Sequence, residues 1–272
     1  MAKFIILTTQ RSGATFFIKC LSSHPQIACR HETIFTQDNR FKFFSFDRPS
    51  SFFYRYRSDS LARQFAYWFR RKQLIYDCLR DYWRTLPNEV KAQGFKLSYN
   101  HVEKYPTIAA WVREHDVRVI HFIRNNVLKT ALSLETAKRR GLYHSSQEVE
   151  PVKVQLKPRK LMRNLKRRTR LIEKYRGIFR DKPYLEISYE SFVADQNAET
   201  RRVLQFLGID EFMSLESDLK KLNPDSLEDI IANYAEVVRV LKGTAFEKYL
   251  TSLHDGFDHD PVIAYSGSPR KS

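Results

Sequence analysis

Ten residues, Thr8-Thr9-Gln10-Arg11-Ser12-Gly13-Ala14-Thr15-Phe16-Phe17, follow the apolar run Phe4-Ile5-Ile6-Leu7. They nearly fit the phosphate-cradling pattern GxxxxGK[ST], with Thr8 at the first glycine, Gly13 at the second and Thr15 at the final hydroxyl. Ala14 stands where that pattern has its lysine. Gly13 permits a turn that would strain a residue with a Cβ, so that successive backbone N–H groups can point at one anion. A helix opening at Ala14 and Thr15 adds its positive end to the same place. Arg11 supplies a formal charge before the turn rather than inside it.

A second constellation follows the clearest strand pattern of the chain, VRVIHFI over 117–123. Arg124 comes directly after it, and Ser133 lies on the helix behind, where two further turns can carry it to the anion that Arg124 meets. Arginine recognises phosphate through a planar, charge-assisted fork, and a hydroxyl adds a donor. One backbone-lined site and one Arg/Ser-lined site suit a nucleotide with phosphates at both ends. A nucleotide kinase is the competing reading. It lacks its lysine at Ala14, and the candidate strand ends in Arg124 where a metal-binding aspartate is needed.

The elements that must position these residues follow from apolar periodicity. Strands are predicted over 4–7, 26–29, 92–97, 117–123 and 184–187. Helices are predicted over 14–23, 63–83, 103–115, 127–139, 158–179 and 198–207, with two more inside 226–250. Strands alternating with helices mean an α/β fold whose parallel sheet is covered on both faces. Ligands of such sheets bind at the carboxyl ends of the strands, where residues 10–15 and 124–126 both fall.

The bulk numbers set the limits. No Pro/Gly/Ser-rich linker, internal repeat or low-complexity tract divides the 272 residues, so one domain is expected. The balance of 47 Lys+Arg against 31 Asp+Glu, a net charge of +16, favours a phosphate-rich ligand, a polyanion or peripheral contact with an anionic surface. A non-enzymatic polyanion or RNA binder fits that charge, but no RNA-binding signature appears, and no nucleic-acid partner is expected. Lys157, Arg159, Lys160, Arg163, Lys166, Arg167, Arg168 and Arg170 crowd the stretch 153–170, which could attract an acidic glycan or a membrane but reads by default as a solvated helix face. Cys20, Cys29 and Cys78 form no CxxC pair, against a disulfide framework or zinc site and in favour of a reducing compartment. The first apolar run is too short for a leader or a membrane span, and a cytoplasmic protein is expected.

Gln10-Arg11-Ser12-Gly13-Ala14-Thr15-Phe16-Phe17 resembles the 5′-phosphosulfate loop of the sulfotransferases that use 3′-phosphoadenosine 5′-phosphosulfate (PAPS), and the segment from Val119 through Arg124 to Ser133 and Leu134 resembles their 3′-phosphate motif. Gly94-Phe95-Lys96-Leu97, Ile187-Ser188-Tyr189-Glu190-Ser191-Phe192 and Phe206-Leu207-Gly208 echo further segments of that family in order. The interval from Arg124 to Ser133 is more similar to bacterial carbohydrate sulfotransferases of the nodulation-factor and trehalose type than to cytosolic phenol and steroid enzymes. The resemblance implies a P-loop-type central parallel sheet flanked by helices, in a single domain over 1–272. It places a helical insertion around 40–90 and a helical C-terminal region over 211–272.

It also implies transfer of a sulfuryl group from PAPS to a hydroxyl or amine of a small-molecule, carbohydrate or lipid-like acceptor, leaving adenosine 3′,5′-bisphosphate, with no metal required. Gln10, Arg11, Ser12, Gly13, Ala14, Thr15, Phe16, Arg124, Ser133 and Tyr189 are the implied nucleotide-binding set. Arg11 and Lys96 are the implied cations for the transferring group. Glu32 is the first choice of base, with His101 and His31 as alternatives. Two departures stand out. Ala14 replaces the loop's usual Ser or Thr and removes one hydroxyl contact, and only Lys220-Lys221 and Lys242-Gly243 offer themselves for the C-terminal basic loop. The aromatic segment from Phe41 to Tyr56 is either an acceptor surface or the core of a helical subdomain.

Overall fold

A computed structural model of the chain describes residues 1–30, 61–84, 89–142, 149–217 and 226–250. Glu32, His31, the aromatic segment 41–56 and Lys220-Lys221 lie outside those residues. Five strands form one all-parallel sheet: β1 (Ala2–Thr8), β2 (Ile27–Arg30), β3 (Ala92–Ser98), β4 (Arg118–Ile123) and β5 (Tyr184–Ser188), in the order β2-β3-β1-β4-β5. The described helices are α1 (Ala14–Ser22), α2 (Leu61–Tyr82), α3 (Tyr99–Lys104), α4 (Pro106–Glu114), α5 (Val127–Arg140), α6 (Pro158–Ile178), α7 (Tyr189–Ala194), α8 (Gln196–Leu207) and α9 (Tyr234–Leu241). The expected α/β class therefore holds.

β1 is central because Phe4, Ile5, Ile6 and Leu7 are all fully buried, as a strand covered on both faces must be. Its alternating residues feed two separate cores. Ile5 and Leu7 join β3 and β4 residues with α2 to α6 and α9, while Phe4 and Ile6 join α1, α7 and α8. Phe4 pairs with Gly94 of β3, where an added Cβ would stand 2.5 Å from the Phe4 ring and carbonyl oxygen. Gly94 is what lets the Phe4 ring lie on the neighbouring strand.

Two predicted elements differ. The helix expected over 103–115 is two helices, α3 and α4, parted at Tyr105. Pro106 excludes helical backbone from the residue before it, and Tyr105 takes φ −130, ψ 73. Of the two helices expected within 226–250, the second is a single 3₁₀ turn, Glu247–Tyr249.

Among the described residues no helix is long and apolar enough to cross a membrane.

The α6-side core encloses one polar cluster. His121 of β4 is fully buried, and its Nε2 and Nδ1 each meet a tyrosine hydroxyl, Tyr99 and Tyr184, at 2.5 Å. Tyr184 donates to Glu186 at 3.2 Å, which requires Nδ1 to carry the imidazole proton and Tyr99 to donate to Nε2. Arg176 closes the cluster with two hydrogen bonds to the Glu186 carboxylate, at 2.7 and 2.8 Å. Burial pushes the His121 pKa down, against the pull of Glu186. Burial would raise Glu186, but hydrogen bonds from Arg176 and His121 outweigh it and hold its pKa at about 2.

Candidate functional site

The loop after β1 is shaped by two left-handed residues. Arg11 has φ 66, a conformation uncommon for any residue with a side chain, and Gly13 has φ 91. Thr8 anchors the start of the loop: its hydroxyl donates to the Phe122 carbonyl at 2.6 Å and shares a 2.6 Å hydrogen bond with Ser12. Ser12 is consequently buried, its hydroxyl engaged inside the loop. Gly13 is the N-cap of α1 and offers that helix no side-chain cap, and the first turn contains no acid. The amides of a helix's first turn lack intrahelical partners and favour an anion.

α5 begins differently. Asn126 caps it, accepting from the Lys129 amide at 2.9 Å, and a carboxylate from another element sits in front of it. The Glu190 carboxylate of α7 accepts from the amides of Asn125 (3.0 Å) and Asn126 (3.1 Å) and stands 3.9 Å from Arg124 Nε. The Arg124 guanidinium lies 4.5 Å above the Tyr189 ring, a cation–π distance. Arg124 Nε is buried and has no hydrogen-bond partner among the described residues. The other edge of Tyr189 closes on the loop, for a Cβ placed on Gly13 would meet its Cδ2 at 2.3 Å. Glycine at 13 is therefore demanded twice, by its φ and by Tyr189.

The two constellations meet through Arg11. Its Nε and a terminal nitrogen donate to the Ser133 hydroxyl at 3.1 and 2.9 Å, joining residues 122 positions apart. Arg11, Gly13, Arg124, Ser133 and Tyr189 thus form one connected cluster at the carboxyl ends of β1 and β4. Gln10 is exposed, Thr15 is buried, and Phe16 is half-buried with its ring edge-on to Phe192 at 5.8 Å. Ala14 is 2% exposed within the α1-side core, so its side chain faces apolar residues.

Lys96 pairs with Ile6 on the α1 face of the sheet, one position beyond where β2 ends opposite Phe95. It is half-buried there. His101 sits on α3, whose buried Tyr99 and Val102 belong to the core of the opposite face. Lys242 is exposed just past α9.

Two participants escaped the sequence reading. Glu190 stood inside a quoted segment without a role; an acid in the first turn after a strand at the sheet's carboxyl end was its only signal. Arg168 was read as solvated. Instead its guanidinium donates to the Gln10 carbonyl at 3.3 Å, and burial together with neighbouring Arg167 pushes its pKa down to about 10. Its phase betrays it: Leu161, Leu165, Ile172 and Tyr175 are the buried residues of α6, and Arg168 shares their side of the helix.

A model of the sulfotransferase family matches residues 3–213. Mouse sulfotransferase SULT7A1, solved in complex with PAP, is 14% identical at a TM-score of 0.44, over 88% of this chain and 62% of that one. This chain therefore spans less than two thirds of the mouse protein's length. A sulfotransferase from Alicyclobacillus acidocaldarius is 16% identical at a TM-score of 0.43, over 93% and 95% of the two chains. The sulfotransferase domain of the curacin biosynthetic pathway is 13% identical at 0.47, over 81% and 79%. No functionally curated protein matches. The family match spans every strand of the sheet and both halves of the loop cluster, and the chain belongs to the sulfotransferase family.

Proposed function

We propose that the chain transfers a sulfuryl group from PAPS to a carbohydrate hydroxyl. The observation that carries this reading is the Arg11–Ser133 contact, which makes one site of the loop after β1 and the helix after β4. The residues fit a donor phosphorylated at both ends. The first turn of α1, whose N-cap glycine has no side chain to cap it, would take the 5′ end. Arg124, with a buried nitrogen lacking a hydrogen-bond partner among the described residues, would take the 3′-phosphate beside Ser133. Glu190 already occupies the amides of Asn125 and Asn126, so the second anion depends on side chains rather than on the α5 backbone. The carbohydrate class rests on the motif spacing alone.

During transfer the acceptor oxygen loses its proton to a base and bonds to sulfur, while the bond from sulfur to the 5′-phosphate oxygen breaks. Cations near that oxygen stabilise the charge it gains. Arg11 and Lys96 take this role in our reading, and Glu32 takes the proton. No metal is assigned.

Adenosine 3′,5′-bisphosphate should raise the melting temperature, by an amount corresponding to about 2.7 kcal/mol at a hundredfold excess over Kd. ATP with Mg²⁺ should not. A shift with ATP alone rejects the donor. Arg124→Ala should weaken bisphosphate binding at least about tenfold, the loss of one charge-assisted contact. Glu32→Gln should keep that binding and lower turnover; full turnover in this variant rejects Glu32 as the base.

A further inference from the structure

The outer face of α6 plays no part in the cluster described above, and it is unusually charged. Arg159, Arg163, Lys166, Arg167, Arg170 and Lys174 are all exposed. At 100° per residue they fall within an arc of about 100°, opposite the buried side of the helix. They extend for about 22 Å along it, at 1.5 Å per residue. Only Lys174 meets a described carboxylate, Glu103 at 3.4 Å. Glu173 is the only acid on α6, and it lies outside the arc and pairs with Arg176. Like charges three and four residues apart on one helix repel, and apart from Glu103 at Lys174 no described carboxylate offsets them. The six cations line a shallow groove together with Met162 and Leu171 at its margins.

We propose that this groove binds the acceptor as an extended polyanion, a carbohydrate polymer bearing sulfate or carboxylate groups. The assignment rests on the sulfuryl-transfer reading for its consequence, that the bound chain is the acceptor. Position supports it. From the opposite side of the same helix Arg168 reaches the Gln10 carbonyl of the loop, so the groove lies about one helix diameter from the donor site. Chemistry selects the class. Leu161, Leu165, Ile172 and Tyr175 of α6 are buried, and the half-buried Met162 and Leu171 beside the arc are too little apolar surface to enter a bilayer. The arc carries no aromatic ring on which a nucleobase could stack. What remains is a linear array of cations with two apolar margins, suited to charged groups along a chain and to the faces of sugar rings.

Heparin serves as the probe, with phosphatidylserine vesicles and single-stranded RNA as competing arms. R163E/R167E/R170E should weaken heparin binding about tenfold or more near physiological salt and flatten its salt dependence, because fewer counterions are released. R70E/R84E/K91E, with the same change in charge on exposed residues elsewhere, should cost less than about threefold. R163Q/R167Q/R170Q should show a smaller loss in the same direction. Equal losses in the two Glu triples overturn the proposal, since attraction would then belong to net charge. Tighter binding of vesicles or RNA than of heparin, lost on the same triple, also overturns it. Bisphosphate-induced thermal shift, retained in every triple, certifies folding. If the unmodified chain binds no bisphosphate but the heparin contrast holds, the donor reading fails and the polyanion groove stands.

Discussion

His121 and Arg124 are three residues apart on one strand and its exit, yet their surroundings differ in kind. His121 faces the α6-side core, where Tyr99, Tyr184, Glu186 and Arg176 satisfy one another in a closed set. Arg124 leaves the strand into a loop where its ionic neighbour, Glu190, stands at 3.9 Å and its Nε donates to no described atom. Closed polar sets fix a structure, because every buried donor and acceptor already has its partner. An arginine whose Nε has no described hydrogen-bond partner, backed by an aromatic ring, keeps a donor open, as the proposed phosphate-binding role requires. The difference teaches that two polar groups on one strand and its exit can differ in how completely the described residues pair them, and the proposed site lies at the less completely paired one.

The largest test of that contrast is Gly13→Ala. The added Cβ meets Tyr189 at 2.3 Å and the backbone remains at φ 91, so stability should fall by about 1–3 kcal/mol. Bisphosphate affinity should fall with it, because Tyr189 backs Arg124. Chemical denaturation and calorimetry read the two effects; unchanged affinity would separate the loop from the Arg124 site.

Glu186→Gln probes the closed set. Its half-exposed Arg176 partner limits the cost at neutral pH to about 1–2 kcal/mol, and bisphosphate binding should be unchanged. The pH dependence has a definite sign. Glu186 contributes stability above its ordinary pKa near 4.5, lost as pH falls toward about 2. His121, favoured neutral, contributes above about 6.5 and is also lost toward acid. The variant should therefore keep the first acid-induced loss and lack the second, as urea titrations across pH will report.

Ser133→Ala is the smallest change. Losing the hydroxyl that receives Arg11 should weaken bisphosphate binding by about 0.5–1.5 kcal/mol and leave the melting temperature of the ligand-free protein unaltered. A loss of about 3 kcal/mol or more, over about a hundredfold in Kd, would make Ser133 a principal anchor rather than a link between two loops.

Much of the frame was legible. All five strands were predicted, and β1 and β4 were the plainest as apolar runs, since a strand buried on both faces needs no alternation to be recognised. Gly13 was legible as a turn glycine because its left-handed backbone restricts residue types, and the meeting of the loop after β1 with the Ser133 helix followed from their places at neighbouring strand ends. Helices α3 and α4 were misjoined although Pro106 announced the break. Glu190 and Arg168 were hidden for a different reason: each acts across more than sixty residues of sequence, through a contact that no local pattern encodes.

By itself the sequence determined a parallel α/β sheet with a glycine-bearing turn at one strand's end and an arginine at another's. Apolar periodicity and the steric demands of glycine are local properties, and they survive without any knowledge of neighbours. Tertiary structure alone decided which polar groups are already paired: His121 with its tyrosines, the α5 amides with Glu190, Arg11 with Ser133. Electrostatic and hydrogen-bond satisfaction depend on distances between segments remote in the chain, and only the packed sheet and its helices set those distances.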